Sequence, residues 1–144
     1  MTAVRWVGHI DPGLDRHLRA GIADSPTLLL PAGQPDLTLV VRTTGRLAEL
    51  YEAGVPSTPH LLLDLASHHT VSLGPLVVVG ETACLGCLAG RIGACWGDPV
   101  PPDRPAMAQS PVLAAALAVW ELEAVAADDV RLAKCPVCHK GFCD

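Results

Sequence analysis

Two Cys-x-x-Cys pairs, Cys84-Leu85-Gly86-Cys87 and Cys135-Pro136-Val137-Cys138, constrain this chain more than any other feature. Each pair lets two sulfurs face one point from a single turn. Four thiolates delivered as two tight pairs match what tetrahedral Zn²⁺ requires. A shared ion ties the C-terminal tail to a segment near the middle of the chain, and the fold must bring those two places together. Two other readings of the same residues stand beside it. The pairs are unrelated thiols, or one is a redox Cys-x-x-Cys and the remaining cysteines are spare. A thioredoxin-like motif follows a strand and opens a helix, and Cys84 does follow a predicted strand.

The bulk of the sequence narrows the partners. A chain of 144 residues is one domain of ordinary size, and half of its residues are hydrophobic. Only 17% are charged, so some apolar surface is expected to be covered by a partner. A formal charge of −5 and a pI near 5.6 argue against a nucleic-acid-binding zinc ribbon, which needs a basic face. No apolar run reaches the roughly 18 residues that span a bilayer. The chain opens without a basic n-region and apolar h-region, so it reads as cytoplasmic. Six cysteines in such a protein point to metal or catalysis before disulfides.

Hydrophobic periodicity gives an α/β order. Residues 5–10 read as a strand ended by Asp11-Pro12-Gly13. Residues 14–22 read as a helix capped by Asp11, with Pro12 suited to its first turn. Residues 27–30 are expected as a brief strand. Residues 36–42 (DLTLVVR) and 60–65 read as strands buried on both faces. Between them, 44–53 reads as a helix with Leu47, Leu50 and Tyr51 on one face, stopped by Gly54. This alternation predicts a mostly parallel sheet with crossover helices. Residues 69–73 and 76–79, separated only by Gly74-Pro75, then predict a bent strand or hairpin at an antiparallel edge. Residues 95–105 read as a loop. Ser110 and Pro111 begin a long helix, 111–127, with Leu113, Leu117, Trp120, Ala124 and Ala127 on one face. It is apolar nearly all round before Glu121, so it is expected to be buried or at an interface. The whole chain reads as a single domain: a βαβαβ half over 1–66, edge strands over 67–83, and zinc-knuckle segments with the long helix over 84–144.

Residues 70–78 (TVSLGPLVV) and 80–88 (GETACLGCL) resemble the ThiF-like partner subunits of YcaO-type azoline- and thiazole-forming cyclodehydratases. More distantly they resemble the ubiquitin-activating-enzyme superfamily. The resemblance runs from about Asp36 to Cys138. It implies a partial ThiF-like, Rossmann-type fold and a structural zinc on Cys84, Cys87, Cys135 and Cys138. The sequence departs from the adenylating members. They carry a Gly-x-Gly-x-x-Gly loop that brings backbone N–H groups to nucleotide phosphates. Gly8, Gly13 and Gly21 do not reproduce it, and no ATP site is recognised. The first 35 residues leave no room for a leader-binding winged helix.

Together these readings predict a non-catalytic, zinc-stabilised scaffold subunit of a ribosomal-peptide maturation complex. It would support a YcaO-type enzyme or another maturation protein, with any contact to the precursor peptide indirect. It is expected as a homodimer or hetero-oligomer without nucleic-acid or membrane partners. Two alternatives remain: a reduced adenylating or acyl-transfer enzyme using Cys95, completed by a second chain, or a redox protein. Cys95 sits in GACWG (93–97) with no visible base to activate it. His139 and Cys143 are alternative metal ligands. The His68-His69 pair reads as a polar turn before it reads as a proton shuttle.

Overall fold

Five consecutive buried residues make each of the two central strands, which is what a sheet covered on both faces demands. These are β2 (Thr38–Arg42, TLVVR) and β3 (His60–Asp64, HLLLD). The computed structural model describes residues 2–28, 37–52, 56–66, 71–103 and 110–127. Within them the sheet has four strands in the order β1-β2-β3-β4, where β1 is Ala3–Val7 and β4 is Ser72–Val77. The first three are parallel, with Ala3 beside Thr38 and Thr38 beside His60. β4 runs antiparallel, with Val77 opposite His60 and Ser72 opposite Asp64. The result is a mixed α/β fold with a mostly parallel sheet. No helix among the described residues is long and apolar enough to cross a membrane.

Alternation along the strands sorts the core into two layers. Leu39, Val41, Leu61 and Leu63 face helices α1 (Pro12–Asp24) and α4 (Pro111–Ala126). Val40, Leu62 and Val77 face α2 (Leu47–Glu52) and α3 (Leu85–Trp96). The α1 boundary is set as the sequence predicts. Asp11 accepts the Leu14 N–H at 2.7 Å, and Pro12 fills a position whose N–H has no helical partner.

Helices α1 and α4 lie parallel, and their contacts keep one offset. Ser25 Oγ donates to Glu123 at 2.5 Å, a separation of 98 residues. A Cβ on Gly13 would touch Pro111 at 3.5 Å, and one on Gly21 would stand 2.8 Å from Val119 Cγ2, both at the same offset. Small residues therefore let the two axes approach. This corrects the predicted face of α4. The buried positions are Ala114, Ala115, Ala118 and Leu122, whereas Val112, Leu113, Leu117 and Trp120 are exposed, Trp120 to 66%. Gly21 leaves room for Val119, and the short alanines at 114, 115 and 118 bring the α4 backbone close to the sheet and α1. The larger apolar residues are left outside.

Three other expectations change, and of the two forms expected for the edge one is selected. Thr27 and Leu28 lie in a turn rather than a strand, although Leu28 is buried in the core. Helix α2 starts later than predicted, and Tyr51 is 58% exposed, lying along Gly86 and Gly90 of α3. The 72–77 segment is one strand, with its register shifting between Leu61 and Leu63, so the edge is bent rather than a hairpin. The predicted loop beginning at Cys95 is the last turn of α3, which continues to Trp96 before Gly97 ends it at φ 75°. Gly54, His68, His69, Cys135, Cys138, His139 and Cys143 lie outside the described residues.

Candidate functional site

Cys84 is the N-cap of α3. Its backbone is extended, and its sulfur accepts the Cys87 N–H at 3.4 Å. The Cys84 and Cys87 sulfurs are 3.5 Å apart. That is too long for a disulfide, whose sulfurs are about 2.05 Å apart. It is close to the roughly 3.8 Å between two sulfurs that each sit about 2.3 Å from one tetrahedral Zn²⁺. The Cys87 backbone N–H, and then its thiol, hold the Cys84 thiol below its ordinary pKa, against a smaller opposing effect of burial. The spacing of these two sulfurs is that of one half of a Cys₄ centre. Among the described residues no group of three or more His, Cys, Asp or Glu side chains gathers as a metal site.

The knuckle stands at the amino edge of the parallel strands. β4 ends at Val77, opposite the first residue of β3, and α3 begins seven residues after Val78. α4 ends at the same edge. Its Glu123 holds Ser25 just beyond α1, and Leu28 accepts from Thr2 at the start of β1. The two elements lie on opposite faces of the sheet.

At the carboxyl edge, where ligands of open α/β sheets bind, the sequence conceals a second feature. Arg42 ends β2 and Asp64 ends β3, and the parallel register sets them side by side. Arg42 Nη1 donates to Asp64 Oδ2 at 2.8 Å, and Arg42 Nε donates to the Gly45 carbonyl at 2.8 Å. Asp64 Oδ1 accepts the Ala66 N–H. Both residues are buried. They line a groove of about 770 Å³ between β4 and the second half of α3, walled by Leu88, Pro75, Trp96 and Val100. Neither residue was singled out in the sequence. The signal was there: each strand is apolar until a charged last residue.

Nearby, Asp98 closes the N-terminus of α2. Its oxygens accept the Leu47 N–H at 2.7 Å and the Ala48 N–H at 3.2 Å, while Arg46 lies 3.5 Å away. Desolvation pushes its pKa up. The two N–H groups, Arg46 and Arg42 together outweigh that and leave it lowered. Cys95 is exposed on the last turn of α3, with no imidazole or carboxylate bonded to it among the described residues.

A solved structure titled "Heterocyclase in complex with substrate and Cofactor" has the same fold, with a TM-score of 0.57 and 18% identity over 90% of this chain. The chain corresponds to a part of that heterocyclase. The match spans 20% of the heterocyclase's own length. At this identity the likeness is one of fold. No protein-family model and no curated protein matches the chain.

Proposed function

We propose that this chain is a non-catalytic, zinc-stabilised accessory subunit of a ribosomal-peptide maturation complex, ThiF-like in type, supporting a YcaO-type azoline- or thiazole-forming cyclodehydratase. The observation that carries the reading is the fold shared with a heterocyclase over nearly the whole of this chain. It agrees with the family resemblance of residues 70–88.

The helix starts support a non-adenylating role. In nucleotide-binding α/β folds, phosphate sits on free N–H groups at a helix N-terminus. Here the α1 start carries the Asp11 carboxylate and a proline without an N–H, and the α2 start carries Asp98. Each already holds an anion of the protein's own.

Chain geometry supports the zinc. Eight residues lead from Ala127 to Cys135, a reach of at most about 26–29 Å when extended. Crossing from one helix layer over the sheet edge to the other takes about 20 Å, at roughly 10 Å per packed layer. Cys135 and Cys138 can therefore meet Cys84 and Cys87. A closed Cys₄ site stabilises without offering an open position for substrate. The exposed apolar positions of α4, Leu113, Leu117 and Trp120, supply surface for the complex or for a homodimer.

The N-cap position of Cys84, after a strand and opening a helix, favours a second reading as a Cys-x-x-Cys redox protein. Stoichiometric zinc that blocks thiol reactivity removes it. The principal test mixes the full chain with a YcaO-type cyclodehydratase, its precursor peptide and ATP. Mass spectrometry then counts the waters lost. Faster ring formation with the chain, unchanged by Cys95→Ser, is expected. ATP hydrolysis by the chain alone with precursor peptide would end the non-catalytic assignment.

A further inference from the structure

The groove at the carboxyl edge contains a hydrogen-bond donor that the fold does not use. Arg42 is 4% exposed. Its Nε and Nη1 are committed to Gly45 and Asp64. No acceptor among the described residues is bonded to Nη2. Nη2 is not one of the buried polar atoms without a partner among the described residues, so it reaches the surface of the groove that Arg42 lines, where water or a ligand can accept from it. The groove it lines has the size of ordinary ligand pockets, which run to about 300–1,000 Å³.

Charge decides what kind of acceptor fits. Arg42 is balanced by Asp64, and Arg46 at the rim is balanced by Asp98. A carboxylate or phosphate entering here would find its positive charge already neutralised and two fixed carboxylates nearby. A neutral carbonyl oxygen suffers no such repulsion. Apart from Ser72 the rest of the wall is apolar, and its rim carries Trp96 and Val100, 82% and 79% exposed. One side of the groove is β4, which among the described residues pairs with β3 alone and so presents an outer backbone edge. An uncharged acceptor, apolar side chains and an edge strand together describe a peptide.

We infer that this groove binds an apolar peptide segment in extended form. A backbone carbonyl of the peptide accepts from Arg42 Nη2, and a side chain packs on Trp96. The inference deepens the proposed role and rests on it only in taking that peptide to be the maturation precursor. Contact with the precursor is then direct, not indirect as the sequence reading has it.

The test is an NMR titration of the full-length, zinc-loaded chain with an acetylated and amidated peptide of leucine, proline and phenylalanine. A capped serine–aspartate peptide of equal length is the control. The expected result is a shift of the Trp96 indole and Arg42 side-chain signals by the apolar peptide alone. Trp96→Ala or Val100→Asp, both at exposed positions, should weaken binding roughly tenfold or more. The paired change Arg42→Met with Asp64→Leu removes Nη2 without stranding a buried charge, and should also weaken it while the strand amide signals persist. Equal binding of the polar peptide, unchanged affinity in the rim variants, or no binding to the wild type up to the solubility limit overturns the inference. Peptide binding without any stimulation of a cyclodehydratase would keep the groove and remove the accessory role. Equal stimulation by the wild type and Trp96→Ala would keep the role and remove the groove.

Discussion

Asp98 Oδ1 accepts the backbone N–H of Leu47 at 2.7 Å, across 51 residues of chain. An acidic residue just beyond α3 thus closes the first turn of α2. The local partner in this cap is Glu49, which reaches back to the Arg46 N–H at 2.8 Å, half of a capping box. The acceptor that Ser or Thr normally supplies comes instead from another element, and it ties the start of α2 to the end of α3.

Asp98 should give stability an acid-sensitive component. Its folded pKa is lowered, so its stabilising effect is complete above the unfolded value, about 3.9. The effect is lost as pH falls from there through the lower folded value. Asp98→Asn should lower the urea midpoint at neutral pH and flatten the pH dependence at that acid end. Urea unfolding at several pH values measures both. Equal slopes in the two proteins would refute the cap's role.

Asp64→Ala should be far more damaging. It leaves Arg42 as an uncompensated charge among buried residues, a change that costs about 3–5 kcal/mol. The pair Arg42→Met with Asp64→Leu should recover most of that loss. A double-mutant cycle by chemical denaturation separates the pair from its members.

Gly21→Ala should destabilise despite the helix propensity it gains. The new Cβ would stand 2.8 Å from Val119 Cγ2, on a side chain stiff at χ1. Overpacking costs about 1–3 kcal/mol, against about 1 kcal/mol gained from replacing glycine in a helix. A net loss of roughly 1 kcal/mol is expected. Val119→Ala in the same chain should restore the balance, which thermal unfolding of the three variants would reveal.

Zinc should bind one ion per chain with Cys84, Cys87, Cys135 and Cys138 as ligands. Native mass spectrometry should show the ion lost on chelation and lost outright in Cys84→Ser or Cys138→Ser. Alkylation should then spare all four cysteines in the zinc form while labelling the exposed Cys95. Full zinc occupancy in either serine variant would remove that cysteine from the site. A disulfide at either pair in place of the metal would put the redox reading first.

Much of the first half was legible because its signals are local. Asp11 and Pro12 fix where α1 starts whatever lies beyond, and the apolar runs TLVVR and HLLLD permit only strands covered on both faces. The antiparallel edge was legible as well, although Gly74-Pro75 lies inside β4; what sets its direction is the link from Asp64 to Ser72, too short for a crossover to a parallel strand. Helix α3 was not predicted at all, because the glycine-rich stretch from Cys84 to Gly97, followed by Asp98 and Pro99, has the composition of a knuckle and a loop, yet Cys84 caps the helix and Gly97 alone supplies the stop. The four-cysteine pattern was plain in the sequence, but two of its members lie outside the described residues.

The sequence by itself determined the alternation of strands and helices through β3, apart from the strand expected at 27–30, together with the antiparallel edge and the helix start at Asp11, since each depends on residues within a few positions. The tertiary structure alone decided which face of α4 is buried, because an Ala-rich helix offers two usable faces and the close approach to α1, with Gly13 against Pro111 and Gly21 against Val119, places Ala114, Ala115, Ala118 and Leu122 inward. It also decided that Arg42 meets Asp64 and that Asp98 reaches Leu47. Those contacts join residues 22 and 51 positions apart. Strand register and helix packing set such distances, and hydrophobic periodicity carries no record of them.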